Sequence, residues 1–262
     1  MSRICPLFSG SKANCTFISH SGAGILVDIG CSYRAFLKAI SLHNIDIKSI
    51  KAVAITHEHS DHIGGLKLFL KENNVPVIAS KKTLDALIDS SVIVENTKVI
   101  IAEKDDINVE DMLITRFATS HDCEGSSGYS VKFTDGNRIS VCTDTGILTD
   151  DAKLNLLGSK AVILESNHDI GMLKNGPYPP YLKMRILSDK GHLSNNACAE
   201  FLPKLLNSGT DRFILGHISQ NNNTPVLALK TSENALSLSG AKADYDYILK
   251  AANPNNNEVL AL

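Results

Sequence analysis

Residues 51–65 read KAVAITHEHSDHIGG and decide the fold class of this 262-residue chain. An apolar, β-branched run ends in a cluster of histidines and an aspartate, and two glycines then open a helical pattern. Because residues two apart on an extended segment point the same way, His57 and His59 can offer their imidazoles to one ion. Asp61 and His62 follow where the chain turns, so they can face a second ion. The stretch therefore predicts a metal site at the junction of a strand and a helix.

The remaining sequence has an α/β pattern. Short apolar runs typical of strands recur at 25–30, 51–57, 75–80, 139–146, 161–166 and 212–217, and helical spacing recurs at 33–43, 62–72, 195–207 and 224–237. Between 112 and 141, alternating residues and an Asp-Gly turn predict an antiparallel meander, so we expect mixed sheets. No repeat or long linker divides the chain, and we expect a single domain over 1–262.

Composition limits the partners and the compartment. The formal charge of −2 gives no global basic field, so a nucleic-acid partner would have to be attracted by a local patch or by bound metal. The six cysteines are scattered without a C-x-x-C pair, which predicts reduced thiols. The opening lacks a signal-peptide pattern, and no apolar run approaches the ~20 residues that span a bilayer. We therefore expect a cytoplasmic protein with no membrane partner.

Further ligands must come from elsewhere in the chain, because one short cluster cannot surround two ions. His121, Asp144 and His217 each follow an apolar or alternating run, as expected for side chains at one rim of the sheets. A carboxylate such as Asp144 can bridge two cations at the ~3.5–4 Å spacing of two-metal sites. Taken singly, each of these residues has a structural alternative, as a capping aspartate or a buried histidine with satisfied hydrogen bonds.

This pattern of ligand-type residues resembles the metallo-β-lactamase superfamily. The resemblance implies a four-layer αββα sandwich with mixed sheets and two metals at one edge between them. It also implies that one metal takes His57, His59 and His121, the other takes Asp61, His62 and His217, and Asp144 bridges both. Imidazole and carboxylate ligands favour Zn, Mn or Fe over Ca or Mg. We therefore expect two divalent metal ions as cofactors, Zn or Mn foremost and Fe as the third candidate.

Five further segments are similar to the YycJ (WalJ) group of bacterial metallohydrolases, whose members are described as exonucleases or phosphodiesterases acting on DNA. The segments are FSGSKANCTFI (8–18), SHDCEGSSGY (120–129), LESNHD (164–169), RILSDKGHLSN (185–195) and LGHISQNNNTP (215–225). Lys12-Ala13 and Cys123-Glu124 depart from the group's pattern. Both departures leave the candidate ligands intact and fall in loops that select substrate.

The expected chemistry is hydrolysis of a phosphodiester by a metal-bridging hydroxide, with Asp61 and His192 as catalytic candidates. Asp61 either orients the hydroxide or acts only as a ligand. His192 precedes a helix start and can hold a phosphate or protonate a leaving oxygen, its alternative being a surface cap. Lys183, Arg185 and Lys190 beside it predict a locally positive rim.

Two other positions near the expected metal site are candidates for supporting roles. Asp28 is expected to orient a ligand or the histidine-rich loop from behind. His168 is expected either to contact metal or substrate, braced by Glu165 and Asn167, or to be structural.

Three functions remain open from the sequence. The first is a metal-dependent phosphodiesterase or nuclease acting on DNA, RNA or a small diester. The second is a glyoxalase II-like thioesterase or lactonase, which shares the H-x-H-x-D-H motif and cannot be separated by fold or metals. The third is a non-catalytic metal-binding or DNA-tethering module, which the full ligand set disfavours because it exceeds what a structural metal needs.

Overall fold

A computed structural model describes residues 1–103, 105–255 and 257–262 of the chain. Its strands are β1 (Ser2–Phe8), β2 (Cys15–His20), β3 (Ala23–Val27), β4 (Ile50–Ala54), β5 (Val77–Ala79), β6 (Val99–Ile101), β7 (Ile107–Val109), β8 (Met112–Ala118), β9 (Ser127–Phe133), β10 (Arg138–Cys142), β11 (Ala161–Glu165), β12 (Arg212–Gly216), β13 (Ile248–Ala251) and β14 (Leu260–Ala261). Its α-helices are α1 (Tyr33–Leu42), α2 (Ser60–Ile63), α3 (Leu66–Glu72), α4 (Lys81–Asp89), α5 (Asp150–Leu156), α6 (Ile170–Asn175), α7 (Pro180–Leu187), α8 (Asn195–Asn207) and α9 (Pro225–Leu238).

The strands form two mixed sheets. Within the described residues the first sheet has the order β14-β1-β2-β3-β4-β5-β6, and the second has the order β13-β12-β11-β10-β9-β8-β7. In the first sheet β3 to β6 are parallel, whereas β1, β2 and β14 pair antiparallel. In the second, β8 to β10 form the predicted antiparallel meander, β7 extends it by one more antiparallel strand, and β10 to β13 are parallel.

Apolar side chains pack in three layers between four layers of structure. Between the sheets, Ile25 and Ala54 of the first sheet join Ile114 and Ile139 of the second in one core. Outside the first sheet, α1, α3 and α4 bury Phe36, Phe69 and Leu84 against it. Outside the second sheet, α5, α8 and α9 bury Leu156, Phe201 and Leu236. The expected αββα sandwich with mixed sheets is therefore confirmed.

This topology brings the ends of several strands to one edge. Six strands end at or just before a polar residue at this edge. These are β3 at Asp28, β4 at His57, β8 at His121, β10 at Asp144, β11 at Glu165 and β12 at His217. These six side chains are all less than one-tenth exposed. Polar groups are costly to bury without partners. Such a row at the edge of an apolar core is therefore a candidate functional site.

The structure corrects one predicted helix and adds others. The helix expected over 62–72 begins earlier, at Ser60, and is divided into α2 and α3 by a glycine pair. A Cβ on Gly64 would lie 2.6 Å from the Gly30 carbonyl oxygen, and one on Gly65 would lie 2.3 Å from that of Cys31, so only glycine permits this approach. The helices α4 to α7 fall in stretches that the sequence reading left unassigned.

Throughout 1–103, 105–255 and 257–262, no helix combines the length and apolar character needed to cross a bilayer.

Candidate metal centre

The histidine-rich loop, residues 56–62, connects β4 to α2 and includes the first residues of that helix, and its neighbours fix its position. The backbone N–H of Asn14 donates to the Asp61 carbonyl (2.8 Å), and that of Ile29 donates to the His62 carbonyl (2.9 Å). A Cβ on Gly30 would lie only 1.6 Å from the Asp61 carbonyl oxygen, so the loop packs directly on this glycine. His59 occupies the N-cap position of α2 without capping it, which leaves its ring available for other contacts.

One group of donor atoms comes from the imidazoles of His57, His59 and His121. Together with the Cys123 thiol, their donor atoms lie within 4.8 Å of one another. His57 Nε2 is 3.1 Å from His59 Nδ1. Burial lowers the pKa of His57 well below its usual value, which favours the neutral imidazole that binds metals. Cys123, which the sequence reading treated only as a departure from a pattern, is thus a fourth donor in this group.

A second group consists of Asp61, His62 and His217, whose donor atoms also lie within 4.8 Å of one another. Asp61 Oδ2 is 3.6 Å from His62 Nε2 and 4.0 Å from His217 Nε2. His62 and His217 are buried, whereas the Asp61 side chain is 24% exposed. This group is therefore open to solvent on the aspartate side.

Asp144 lies between the two groups. Its Oδ2 is 3.3 Å from His62 Nε2, and its Oδ1 is 3.4 Å from His217 Nδ1 and 3.9 Å from His121 Nε2, so the carboxylate lies next to histidines of both groups. Burial raises the pKa of Asp144, but the facing His217 and His62 outweigh burial and hold it well below its usual range. The carboxylate is therefore ionised at neutral pH.

The arrangement fits cations. Among the described residues, the buried atoms Asp144 Oδ2 and His217 Nε2 have no hydrogen-bond partner. Such orphans are rare in folded proteins and mark places where a further group binds. Asp144 and His217 also hold left-handed backbone conformations, with φ of 54° and 53°. Backbone strain of this kind is typical of functional sites.

Asp28 supports the first sheet's side of the centre, as the sequence predicted. Its Oδ2 is 2.8 Å from His62 Nδ1, which leaves His62 Nε2 to face Asp144. The Thr56 N–H donates to Asp28 Oδ1 and the Thr56 hydroxyl to Oδ2, both at 2.8 Å. Asp28 thus orients both a candidate ligand and the start of the histidine-rich loop.

Glu165 supports the second sheet's side, where the sequence reading was wrong about its partner. It was expected to brace His168, but its Oε1 instead lies 2.9 Å from His192 Nδ1 and 2.7 Å from His217 Nδ1. Its Oε2 accepts from the backbone N–H groups of Thr145 and Leu193. Burial raises the pKa of Glu165, but His192 and His217 outweigh it and bring the pKa to about 2.

His192 lies at the centre, and His168 does not join it. The His192 ring is 5.2 Å from those of both His121 and His217, centroid to centroid, and its side chain is 14% exposed. His168 is 1% exposed, and within the described part of the chain neither of its ring nitrogens has a hydrogen-bond partner. Burial lowers the pKa of His168 to about 4. It belongs to none of the donor groups found among the described residues.

All seven residues that the sequence singled out as ligands thus meet at one edge, with His192 beside them. The bracing contacts of Glu165 and the donor position of Cys123 were not predicted from the sequence. For Glu165 the available signal was its place as the last residue of an apolar run, the position that also marks the other buried acids. For Cys123 the signal was its spacing of two from His121.

Known proteins share this sequence pattern and fold. The family model described as the metallo-β-lactamase superfamily matches residues 9–217. The chain is 34% identical over 238 residues to an exodeoxyribonuclease YycJ of Bacillus anthracis, covering 89% of each protein. It is 32% identical over 252 residues to an exodeoxyribonuclease WalJ of Streptococcus pneumoniae, covering 95% of this chain and 93% of the relative.

Solved structures agree on the fold at low sequence identity. The metallo-β-lactamase fold protein YhfI of Bacillus subtilis superposes with a TM-score of 0.70 at 16% identity, covering 98% of this chain and 99% of YhfI. Zn-bound PqqB of Methylobacterium extorquens gives 0.70 at 15% identity and covers 99% of this chain and 100% of PqqB. Together with the family match and the two bacterial relatives, this shows that the chain belongs to the metallo-β-lactamase superfamily and, within it, to the family of the YycJ and WalJ proteins.

Proposed function

We propose that this protein is a binuclear metal-dependent phosphodiesterase that acts as a DNA exonuclease. The observation that carries the proposal is the buried Asp144 carboxylate, whose oxygens lie within 4 Å of histidine nitrogens from both groups. One ion would be held by His57, His59 and His121, and the other by Asp61, His62 and His217, with Asp144 shared. Zn and Mn suit these donors best, and Fe is the third candidate.

When bound, the two ions supply a hydroxide nucleophile near neutral pH and withdraw charge from the phosphoryl oxygens. The chain's own residues prepare and orient that chemistry. Asp61, the partly exposed member of its group, orients the attacking oxygen as well as binding metal. Glu165 fixes the His192 ring through Nδ1, so that the opposite nitrogen can protonate the leaving oxygen.

Two general features of the protein complete the proposal. The two sheets share one apolar core, which supports a single hydrolase domain over 1–262. All six cysteines are unpaired, as expected for a protein of the reducing cytoplasm. The names of the two bacterial relatives support DNA as the substrate, and a thioester or lactone substrate finds no comparable support.

The first test is hydrolysis of bis(p-nitrophenyl) phosphate by protein loaded with Mn or Zn, run beside a thioester substrate. We expect the diester to be hydrolysed and the thioester to be left intact. Asp61→Ala should lower diester turnover at least about 100-fold, because the orienting carboxylate is lost. Asp85→Ala, an exposed aspartate on α4, is the matched control and should be unchanged. Turnover of the thioester alone would instead establish the glyoxalase II-like activity.

A further inference from the structure

The segment between β11 and α8 has a composition unlike that of the whole chain. Residues 170–191, which we call the connecting segment, carry α6 and α7. They contain four basic residues and one acidic residue, whereas the chain as a whole has a net charge of −2. The basic residues are Lys174, Lys183, Arg185 and Lys190, and the acidic residue is Asp189. The segment is therefore a local positive region in a slightly acidic protein.

The connecting segment is attached to the metal centre on two sides. On one side, His121 Nδ1 lies 3.1 Å from the Gly191 carbonyl, and Arg185 Nε donates to Asp122 Oδ2 at 2.5 Å. On the other side, the Asn221 amide donates to the Tyr178 hydroxyl at 2.8 Å, in the loop that follows His217. The segment is thus held against the loops of two candidate ligands and borders the centre.

One face of α7 is exposed and apolar. Tyr181 is 70% exposed and Met184 66% exposed, and their spacing of three places them together on one face of the helix. Ile186, by contrast, is buried and anchors the helix. An aromatic ring and a thioether left in solvent on a segment of net positive charge are the elements of a platform for unpaired bases, because every base has a face that stacks on an aromatic ring.

We propose that the connecting segment binds the unpaired end of a nucleic-acid strand and guides it to the metal centre. Tyr181 stacks on a base with Met184 beside it, while Lys183 and Lys190 attract the backbone phosphates. Arg185 is paired with Asp122 and holds α7 in place. The inference rests on the proposed function and adds the substrate class, a single-stranded end, since the bases of a duplex are stacked on each other and cannot lie on Tyr181.

The test is fluorescence anisotropy with the metal-loaded protein and a labelled, phosphorothioate-linked single strand of about 16 nucleotides, the upper site size of comparable platforms. Tyr181→Ala should weaken binding of the strand about 10-fold, as expected for one lost stacking contact. Tyr181→Phe keeps the ring and should restore binding. Tyr245→Ala removes a tyrosine that is 86% exposed near the chain's end and is the matched control, with no change expected.

Two further measurements separate stacking from charge. Tyr181→Ala should change the affinity for a blunt duplex of the same length by less than about 3-fold. Lys183→Ala with Lys190→Ala should reduce the slope of log affinity against log salt by about 0.7 for each lost phosphate contact on a single strand. Equal losses for strand and duplex in Tyr181→Ala, or no loss for the strand, would overturn the platform.

The platform and the proposed function can fail separately. Diester hydrolysis by the unaltered protein tests the proposed function without involving α7. If that hydrolysis occurs but Tyr181→Ala binds the strand as well as the unaltered protein does, the platform is wrong. If the strand binds through Tyr181 but no diester is hydrolysed, the platform remains and the proposed phosphodiesterase activity is wrong.

Discussion

Asp28 and Glu165 are buried carboxylates at the ends of β3 and β11, and they support the two sides of the metal centre differently. Asp28 contacts one ring, that of His62, and the adjoining Thr56. Glu165 contacts two rings and two backbone N–H groups. Burial raises the pKa of Asp28, and its contacts do not reverse the rise, whereas the contacts of Glu165 bring its pKa to about 2.

The difference follows from how each side is built. On the first sheet's side, one loop supplies four of the candidate ligands, so the chain itself sets their spacing and one brace is enough. On the second sheet's side, His121, Asp144, His192 and His217 come from separate segments, and Glu165 touches two of them. A side assembled from distant segments therefore depends more on its supporting carboxylate.

The largest expected effect comes from removing the residue that both sides share. Asp144→Ala should lower diester turnover about 1000-fold, because the carboxylate that both groups of histidines share is lost. Metal content by mass spectrometry should fall below two ions per chain. Asp150→Ala, a fully exposed aspartate on α5, is the control and should keep the metal content of the unaltered protein. Two ions retained in Asp144→Ala with undiminished turnover would show that the two sides bind metal independently.

The same comparison explains what the sequence could predict. The first sheet's side could be predicted because His57, His59, Asp61 and His62 lie within six residues, and strand geometry relates the directions of their side chains. The strands and the meander could be predicted from the periodicity of the apolar residues. The helix α7 was missed because its apolar residues do not face one core: Ile186 is buried, while Tyr181 and Met184 are exposed.

The contacts that Glu165 makes on the second sheet's side could be identified only from the folded structure. In sequence, Glu165 is near His168 and distant from His217. In the sheet, the parallel register places Glu165 opposite Gly216, which brings His217 beside it. His192 reaches Glu165 only because the connecting segment returns the chain to the end of β11. The end of an apolar run could therefore mark Glu165 as a candidate, but its partners depend on strand register and on a returning segment, and these leave no local signal.

The two carboxylates give the next prediction. Glu165→Gln keeps the shape but loses the charge facing His192 and His217, and we expect diester turnover to fall about 100-fold even at saturating metal. Asp28→Asn should weaken metal binding about 10-fold, with turnover recovering as metal is added, because only the orientation of His62 is loosened. Metal titrations followed by diester hydrolysis distinguish the two. Full recovery of Glu165→Gln by added metal would contradict the asymmetry between the two sides.

The smallest effect concerns the contact between the sheets. The hydroxyl of Tyr129, on β9 of the second sheet, donates to the Ile55 carbonyl (2.7 Å), just before the histidine-rich loop of the first. Tyr129→Phe should lower the free energy of unfolding by about 1–2 kcal/mol, because a buried carbonyl loses its donor. Urea denaturation measures this change, with the exposed Tyr245→Phe as control. Metal affinity should stay unchanged, because Asp28 and Thr56 hold the loop from the first sheet itself. A loss of metal affinity without a loss of stability would contradict this expectation. Tyr129 would then be a positioning residue of the centre, and the two sides would depend on each other.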